Sequence, residues 1–576
     1  MNKGDDGHKV TVEAETVAQA YLELLSLRGI DYFFANPGTD FASIIDGFVC
    51  REEYRKEGPK PLAIPHEIPL VAMAHGYYLA TGRVQAAMVH VGVGTANGIG
   101  GIMAAHHGRI PILFCAGRTP ITEEGDIGSR SAFIHWGQEC FDQAGMLREF
   151  VKWDYELRTP GQIEGVIDRA LTMALSEPKG PVYLSMPREV MASPMGSVTF
   201  DARHRYDLPT YHPDPEKTAR AAELLVEAES PLMITSSAGR SAEAVEAMVR
   251  LAASAGIGVI SFNPENMCFP NDHPCHQGFD PETFLDEADV ILVVDCDVPW
   301  YPKTMKPRES AVVVQVGIDP FYGSYPIRNF PSDITLQGDP PIVLSEMTRL
   351  ITQHPERDAS GIETRMKRLQ AQNKDMTAKW QRMAEEGAND VPINPRWLSY
   401  NVSRIMDEDT VIMNQNDYSL KRYAARHAGG FFCSPHAGYL GWAVGAGLGI
   451  KLGRPEATVI ATVGDGSYMF AVPSACHYVS SAYDLPMLTI VYNNQGWDKV
   501  KHDVGVVHPE GWAVRCEHFP LTRFQAPVHY EKFCEACGGY GERVESPDQV
   551  KPALERALHA VRHEKRQALL NVICGS

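Results

Sequence analysis

The sequence predicts an α/β protein with three doubly wound domains, each built around a parallel β-sheet. Strand-like apolar runs alternate with helical patterns along almost the whole chain. The length of 576 residues exceeds what one hydrophobic core usually holds. Helical crossovers make successive strands parallel, so that their carboxyl ends lie along one edge of the sheet.

The first two predicted domains are defined by short apolar runs with turns and helical patterns between them. In the first domain, residues 1–195, the predicted strands lie at 31–35, 85–91, 111–116 and 181–186. A proline-rich stretch, 208–215, indicates a linker. In the central domain, 205–352, the predicted strands lie at 231–235, 258–262, 290–295 and 311–316. Asp319 follows the last of these, where nucleotide-binding folds often hold a ribose.

The carboxyl-terminal part of the chain divides into a connector and a third domain. Residues 353–392 are strongly charged and helical in pattern, with few apolar anchors, and predict a surface linker. The third α/β domain covers 393–576. No short-period repeat is evident in the chain.

Composition and charge exclude several classes of protein. The hydrophobic content of 44% and charged content of 22% are typical of a soluble globular protein. The net charge of −19 argues against a nucleic-acid-binding surface. No apolar run is long enough to span a bilayer, and the polar amino terminus lacks a signal-peptide core. We therefore expect a cytoplasmic enzyme with no membrane or nucleic-acid partner.

The most informative motif is Gly464-Asp465-Gly466, followed after 26 residues by Asn493-Asn494. Apolar runs before each element and a helical pattern at 468–483 predict a βαβ unit. Asp465 and Asn494 then lie side by side and offer two oxygen ligands to a hard cation such as Mg²⁺. A helix beginning at Ser467 would direct free N–H groups to the same place, which suits a pyrophosphate.

A second candidate site is Pro65-His66-Glu67, between a short strand at 62–65 and a helix at 68–79. A carboxylate at a strand end beside an apolar helix is suited to proton exchange near neutral pH. Taken alone, Glu67 is more simply a helix-capping acid. His90, at the end of a later strand, is by itself more simply a structural histidine.

Together these motifs resemble those of the thiamin diphosphate enzymes, in the group of acetolactate synthases and 2-oxo acid decarboxylases. Further segments that resemble this family lie at 34–40, 72–82 and 179–187, and residues 93–98 resemble the glycine loop after its third strand. Short segments at 151–156, 268–275 and 431–434 resemble the benzoylformate decarboxylase branch most. The resemblance extends over almost the whole chain and implies the family's three-domain fold, with self-association as a homodimer or homotetramer.

The resemblance also implies residue roles. Glu67 would protonate the cofactor's pyrimidine ring, and His90 would move protons at the substrate. Thr39 replaces a serine that contacts the substrate carboxylate in the decarboxylase branch. The implied cofactor and metal contacts are Gly466 and Ser467 to the diphosphate, the Gly438 carbonyl to the pyrimidine amino group, Leu440 as a wedge that bends the cofactor, and Asp465, Asn494 and the Gly496 carbonyl to Mg²⁺. Without the motif, Leu440 could equally be a core leucine.

Some features depart from the decarboxylase pattern. A second active-site histidine, expected from the central domain, is replaced by a stretch that contains Trp300 and Tyr301. Tyr439, Trp442 and Trp497 are also bulkier than usual. The substrate cannot therefore be assumed to be an aryl 2-oxo acid such as benzoylformate.

Three weaker patterns carry less information. In the glycine pattern at 92–94, Asn97 stands where the third glycine of a dinucleotide fingerprint belongs. Neither this pattern nor the one at 445–449 has the required strand, helix and acid together. Residues 236–240 give faint support to a flavin (FAD) in the central domain, as in acetolactate synthases. Cys534 and Cys537 form one CxxC with no second pair nearby, which favours structural thiols over zinc.

Three functions follow from these observations. The first is non-oxidative decarboxylation of a 2-oxo acid, with ligation of aldehydes as a side reaction. The second is an acetolactate synthase-like transfer of a two-carbon unit, which Gln495 after the asparagine pair slightly favours. The third, from another class, is a non-catalytic cofactor-binding protein, against which the joint presence of Glu67, Asp465 and Asn494 argues.

Overall fold

Three parallel β-sheets, each flanked by helices, confirm the predicted α/β class. The computed structural model describes residues 8–203, 207–416 and 419–575. The first residues of the polar amino terminus, 1–7, and the predicted start of the central domain at 205 lie outside this part. The described residues form two compact units. One comprises the chain up to Pro209 with Ser434–Pro455 and Ser467–Leu485, and the other comprises Thr210–Cys433, Glu456–Gly466 and the chain from Pro486.

The amino-terminal sheet has six parallel strands in the order β3-β2-β4-β5-β7-β6. A separate antiparallel pair joins β1 to β8. The core beneath contains Tyr21, Phe33 and Phe200, each at most 1% exposed. The elements are β1 Lys9–Thr16, α1 Val17–Leu27, β2 Tyr32–Ala35, α2 Ala42–Glu53, β3 Lys60–Ala63, α3 Glu67–Thr81, β4 Ala86–Val89, α4 Val91–His107, β5 Leu113–Arg118, α5 Ile134–Gly137, β6 Asp154–Glu156, α6 Ile163–Leu175, β7 Val182–Pro187, α7 Arg188–Ala192 and β8 Pro194–Asp201.

The central sheet has five parallel strands in the order β10-β9-β11-β12-β13. A long charged helix, α12, follows within the predicted helical segment, whose role as a linker stays a prediction. The elements are α8 Pro215–Glu227, β9 Pro231–Thr235, α9 Ala242–Ala255, β10 Gly258–Ser261, α10 Glu282–Leu285, β11 Val290–Val294, β12 Val312–Gly317, β13 Ile334–Gln337, α11 Pro340–Gln353 and α12 Ala359–Glu386. The predicted domain limits at 195, 205, 352 and 392 stay predictions.

The carboxyl-terminal sheet has six parallel strands in the order β15-β14-β16-β17-β19-β18. Strands β16 and β17 are neighbours, as the predicted βαβ unit requires. The elements are α13 Pro395–Arg404, β14 Thr410–Gln415, α14 Lys421–Ala424, β15 Phe431–Cys433, α15 Trp442–Gly453, β16 Thr458–Gly464, α16 Asp465–Phe470, α17 Pro473–Ala482, β17 Leu488–Asn493, α18 Asp498–Val507, α19 Trp512–Arg515, α20 Glu531–Ala536, β18 Tyr540–Val544, α21 Val550–Arg562 and β19 Ala568–Ile573.

Two local predictions need correction. The single helix expected at 468–483 is two helices, because Val472 has a φ of 52° and Pro473 begins the second one without a backbone N–H to continue the first. The glycine loop expected at 93–98 forms part of helix α4. The crossover between β16 and β17 is nevertheless helical, as predicted.

The glycines at 445–449 have a packing role rather than a nucleotide-binding one. They lie on α15, which packs closely against α3. A Cβ on Gly449 would come within 2.1 Å of the Met73 carbonyl oxygen, and one on Gly76 within 1.9 Å of the Ala446 carbonyl oxygen. Only glycine permits the two backbones to approach this closely.

The structure also shows the state of the cysteines and the apolar character of the helices. All twelve cysteines are free, and Cys534 is buried at the end of helix α20. Among the described residues no helix combines the length and apolar character that crossing a bilayer requires.

Candidate active site

Glu67 is the first residue of α3 and is 6% exposed. The capping group of this helix is His66, whose Nδ1 accepts a hydrogen bond from the Ile68 N–H at 3.1 Å, so Glu67 is not the helix cap. Asn97 on α4 donates from Nδ2 to Glu67 Oε2 at 3.2 Å. Gly94 lies against the same carboxylate, since a Cβ there would be 3.2 Å from Glu67 Oε1. The glutamate is thus a buried acid in the first turn of α3, oriented by Asn97 and not serving as the capping residue.

His90 lies between two polar partners. Its Nδ1 is 2.5 Å from Asp40 Oδ1, and its Nε2 accepts from Gln138 Nε2 at 3.1 Å. The hydrogen bond with Asp40 raises the pKa of His90, against the opposing effect of burial; the Asp40 and Glu67 charges add to the rise. Protonation therefore becomes easier while the ring orientation stays fixed.

The surroundings of His90 are shaped to hold this arrangement. A Cβ on Gly38 would come within 2.1 Å of His90 Nδ1, and one on Gly117 within 1.8 Å of Asp40 Oδ2. Val91, directly after His90, has a φ of 31°, and its N–H donates to Asp40 Oδ2 at 3.3 Å. A branched residue in this region costs on the order of 1–3 kcal/mol, a strain that typically accompanies functional sites.

Gln138 can serve both protonation states of His90. Its Oε1 is buried and has no hydrogen-bond partner in the part of the chain that the structure describes, while its Nε2 faces the imidazole. A half-turn of the amide would present Oε1 to an Nε2–H of protonated His90. Thr39 is exposed and lines a narrow crevice together with Gln138 and His135.

Asp465 is the first residue of α16 and is only 1% exposed. Its Oδ1 accepts from the Gly466 N–H at 2.8 Å and its Oδ2 from the Gly496 N–H at 3.1 Å. Burial raises the pKa of Asp465 to about 6, opposed by these backbone donors. Asn494 Oδ1 also accepts from the Gly496 N–H, at 3.2 Å, so the predicted ligands Asp465, Asn494 and Gly496 are brought together.

The donor set fits a hard divalent cation. Asp498, whose charge acts on Asp465, accepts from Asn494 Nδ2 at 2.8 Å through Oδ2. Its buried Oδ1 lies 3.8 Å from Arg523 Nη2 and accepts no hydrogen bond from the described residues. Carboxylate and amide oxygens are the ligands that Mg²⁺ prefers. Within the described ranges no three His, Cys, Asp or Glu side chains form a metal-binding group, so backbone, amide or cofactor oxygens must complete such a site.

The remaining predicted cofactor contacts are placed as follows. Gly466 lies under the Trp497 ring, because a Cβ there would come within 2.5 Å of Trp497 Nε1. Ser467 follows it on α16. Gly438 is exposed with a φ of 69°, and Leu440 is half-buried just before α15. Their roles toward a cofactor stay predictions.

The central domain does not fit a flavin dinucleotide at its expected position. In doubly wound sheets that position lies at the carboxyl ends of β9 and β11, where the strand order reverses. Three buried carboxylates lie in the segments after β10 and β11, and they disfavour a negative diphosphate there, although Asp295 pairs with Arg240 at 2.8 Å: Glu265, Asp295 and Asp297. Gly239, in the segment after β9, does not leave space for a ligand. Protein backbone fills this space, because a Cβ on Gly239 would be 2.2 Å from the Met267 carbonyl oxygen. Asp319 accepts from the Gly323 N–H at 2.9 Å and so closes its own turn.

The bulky residues noted in the sequence divide into two kinds. Trp442 is 1% exposed and packs edge-on against His75 between α15 and α3. Trp300 is 2% exposed and packs against Phe330 in the central domain. Tyr301 is 45% exposed and lines a cleft of about 660 Å³ in the central and carboxyl-terminal part. The two tryptophans are therefore core residues.

Sequence reasoning missed three residues that contact the candidate catalytic groups: Asp40, Asn97 and Gln138. Asp40 is the last residue of the segment at 34–40, which resembles the family, so the sequence did point to this region. Asn97 was noted only because it breaks a glycine fingerprint. Gln138 lies in a loop with no recognisable motif.

Comparison with protein families identifies three consecutive matches. Three domain models of thiamine pyrophosphate enzymes match this chain. The N-terminal TPP binding domain matches residues 15–146, the central domain matches 218–347, and the C-terminal TPP binding domain matches 415–572. Together they cover most of the chain. The candidate residues of both sites lie inside the first and third of these ranges.

Individual relatives are distant but cover nearly the full chain. A benzoylformate decarboxylase of Pseudomonas aeruginosa is 25% identical, over 95% of this chain and 97% of its own. An acetolactate synthase large subunit of Haemophilus influenzae is 23% identical, over 94% and 91%. The crystal structure of benzoylformate decarboxylase from Polynucleobacter necessarius superposes with a TM-score of 0.79 at 20% identity, over 98% and 99%. The last comparison shows a shared fold.

Proposed function

The chain belongs to the thiamine pyrophosphate enzyme family, and we propose that it is a thiamin diphosphate- and Mg²⁺-dependent decarboxylase of 2-oxo acids, with ligation of aldehydes as a side reaction. The observation that carries this proposal is the arrangement around His90. Asp40 and Gln138 hydrogen-bond to this histidine, and the Glu67 charge contributes to its raised pKa. Such a histidine is suited to moving protons at a substrate.

When bound, thiamin diphosphate supplies a thiazolium carbon that adds to the carbonyl and accepts the electrons left when the C–C bond breaks. Glu67 would give a proton to the pyrimidine ring, and the hydrogen bond from Asn97 keeps its carboxyl in position. Asp465, Asn494 and the Gly496 carbonyl would hold Mg²⁺. Gly466 and Ser467 would contact the diphosphate, the Gly438 carbonyl would accept from the pyrimidine amino group, and Leu440 would support the cofactor.

The step after loss of CO₂ needs a proton at the former carboxyl-bearing carbon. His90 holds this proton at Nε2, while Asp40 stabilises the imidazolium through Nδ1. The raised pKa of His90 keeps a fraction of the ring protonated near neutral pH. Thr39 lines the crevice beside Gln138 and supplies a hydroxyl for the substrate carboxylate.

The second candidate is an acetolactate synthase-like transferase. Gln495 supports it, because this residue is exposed directly after Asn494 and has a φ of 62°, which directs the chain away from strand β17. A synthase needs a place for a second carbonyl compound rather than a proton donor. His90 with its two partners favours the decarboxylase, and the presence of Glu67, Asp465 and Asn494 disfavours a non-catalytic binding protein.

Product analysis with a panel of aliphatic and aryl 2-oxo acids distinguishes these functions. Release of CO₂ together with free aldehyde supports the decarboxylase. Release of CO₂ with ketol as the main product supports the synthase and overturns the first proposal.

The substitution His90→Ala tests the proton donor. We expect free aldehyde to fall more than ligated ketol, because ligation does not need the proton that aldehyde release needs. Asp40→Asn removes the largest cause of the raised pKa of His90, so the alkaline limb of the activity profile, along which His90 loses its proton, should move to lower pH. The measurement is product ratio and rate as functions of pH. An unchanged product ratio and rate in His90→Ala would show that His90 has a structural role and is not the proton donor.

The family resemblance also predicts the assembly. Glu67 of one subunit and Asp465 of another serve the same cofactor in these enzymes, so the smallest active unit should be an isologous dimer, and we expect a homotetramer. Light scattering combined with activity on dilution measures this. A monomer with full specific activity would contradict the shared-site arrangement.

A further inference from the structure

A cleft of about 660 Å³ lies within one compact unit, in the central and carboxyl-terminal part of the chain. Its walls are the segments after β10 and β11, one side of α12 and the start of α14. We call it the Trp380 cleft, since Trp380 lies in its lining with Gln277, Phe279 and Arg422. The lining contains none of the candidate catalytic or cofactor-binding residues, and the volume is typical of a small-molecule site.

Aromatic rings form the apolar part of the cleft. The centroids of Phe279 and Trp380 are 5.9 Å apart, with their planes at 32°. Phe262 and Tyr301 pack edge-on at 5.1 Å, and Asn263 Nδ2 donates to the Tyr301 hydroxyl at 2.7 Å. Methionine side chains add polarizable surface to this lining: Met305, Met376 and Met383. Such a surface suits a planar aromatic group.

Gln277 has an acceptor oxygen that receives no donor. The residue is 5% exposed, and its Nε2 donates to the carbonyl oxygens of Pro274 and Leu369, each at 3.1 Å. These two bonds fix the orientation of the amide, so the remaining atom is Oε1. No residue in the described ranges donates to Oε1. Because an unpaired buried polar atom is costly, a donor on a ligand would be favourable here.

Trp380 has a donor that finds no acceptor. The residue is 9% exposed, and its backbone carbonyl accepts from the Tyr423 hydroxyl at 2.9 Å. The indole N–H, in contrast, donates to no residue of the part of the chain that the structure describes. A buried indole N–H usually has a partner, so this group would favour an acceptor on a ligand.

Two cations are held over the aromatic rings of the cleft. Lys421, 6% exposed, lies over the Phe279 ring at 4.9 Å, and Arg422, half-buried, lies over the Trp380 ring at 5.9 Å. The Arg422 guanidinium pairs with no carboxylate of residues 8–203, 207–416 and 419–575. Its position is therefore supported by an aromatic ring, while its donors stay available to an anion.

The acid in the lining does not neutralise these cations. Asp280 is exposed, and its Oδ1 accepts from the Glu282 N–H at 3.1 Å. A third cation, the exposed Lys379, also belongs to the lining. In a chain with a net charge of −19, such a local excess of positive charge favours a negatively charged ligand.

We propose that the Trp380 cleft binds a small aromatic anion whose ring carries an N–H or O–H donor. The ring packs on the aromatic side chains, its donor meets Gln277 Oε1, and its acid group pairs with Arg422. A carboxylate or a phosphate fits, because the guanidinium offers two parallel N–H groups to the oxygens of either. Binding here does not depend on the proposed decarboxylase activity.

Calorimetric titration of the full chain with two aromatic anions, AMP and 4-hydroxyphenylacetate, tests this proposal. Each anion has a neutral analogue with the same ring, adenosine and 2-(4-hydroxyphenyl)ethanol, and inorganic phosphate supplies an anion without a ring. The variants are Arg422→Gln and Trp380→Phe, which keeps an aromatic ring and removes the N–H. The control is Arg426→Gln, whose exposed side chain donates to the Tyr423 carbonyl at 3.2 Å and lies outside the lining.

Wild type should bind at least one of the two anions, and more tightly than its neutral analogue. Affinity for that anion should fall by roughly 10- to 100-fold in Arg422→Gln and roughly 2- to 10-fold in Trp380→Phe, and should be unchanged in Arg426→Gln. The anion that binds distinguishes a nucleotide from an aryl acid. Failure of both anions to bind, phosphate binding as tightly as AMP, or equal affinity in wild type and Arg422→Gln would overturn this inference. None of these results would bear on the decarboxylase proposal, which CO₂ release tests separately.

Discussion

Asp465→Ala is expected to abolish measurable Mg²⁺-dependent binding of thiamin diphosphate while the protein stays folded. Asp465 is the buried carboxylate of the candidate metal site, 1% exposed, and receives two backbone N–H groups. Its removal leaves the charge of a diphosphate and metal uncompensated. The loss should exceed the roughly 10- to 100-fold that loss of a partner outside the metal's own ligands costs.

Calorimetric titration of the cofactor, with and without Mg²⁺, measures this effect. A matched control is Asp503→Ala, whose side chain is 58% exposed and pairs with Lys499. In the wild type, affinity should weaken as pH falls through about 6, because burial raises the pKa of Asp465 to about 6 and metal binding needs the carboxylate. Unchanged affinity in Asp465→Ala would refute the metal-site assignment.

Glu67→Gln is expected to depress every reaction of the enzyme together, decarboxylation and ligation alike, by roughly 10²–10⁴-fold. Glutamine keeps the size of the side chain and can still accept from Asn97, but it cannot give a proton to the pyrimidine ring. Cofactor affinity should change little, because the diphosphate and metal contacts are untouched.

Steady-state rates of CO₂ release and ketol formation measure the effect of Glu67→Gln. Asn97→Ala is the matched comparison, since it removes the hydrogen bond and keeps the acid; it should cost less than Glu67→Gln. A selective loss of one reaction would place Glu67 later in the sequence of steps than cofactor activation.

The sequence could predict those parts of the molecule whose structure depends on neighbouring residues in the chain. Strand β16, the aspartate after it and the asparagine after β17 are fixed by apolar runs and by the parallel register of neighbouring strands. The break between α16 and α17 also has a local signal, Pro473, which the helical pattern at 468–483 masked. The prediction of one helix followed the apolar periodicity of this segment and did not take account of Pro473.

The environment of His90 could not be predicted in this way. Asp40 and Gln138 are 50 and 48 residues from His90 along the chain and meet it only through the folded loops. Their approach also depends on Gly38 and Gly117, whose missing side chains make the space. The packing of Trp442 against His75 could not be predicted for a related reason, since it depends on helix–helix contact.

Hydrogen–deuterium exchange at C2 of bound thiamin diphosphate tests most directly the central claim, that Glu67 and the Asp465 site together activate this cofactor. With Mg²⁺ present, exchange on the wild-type protein should be far faster than on the free cofactor in the same buffer. It should fall by roughly 10²–10⁴-fold in Glu67→Gln and remain fast in His90→Ala. Wild-type exchange no faster than the free cofactor, or normal exchange in Glu67→Gln, would contradict the claim.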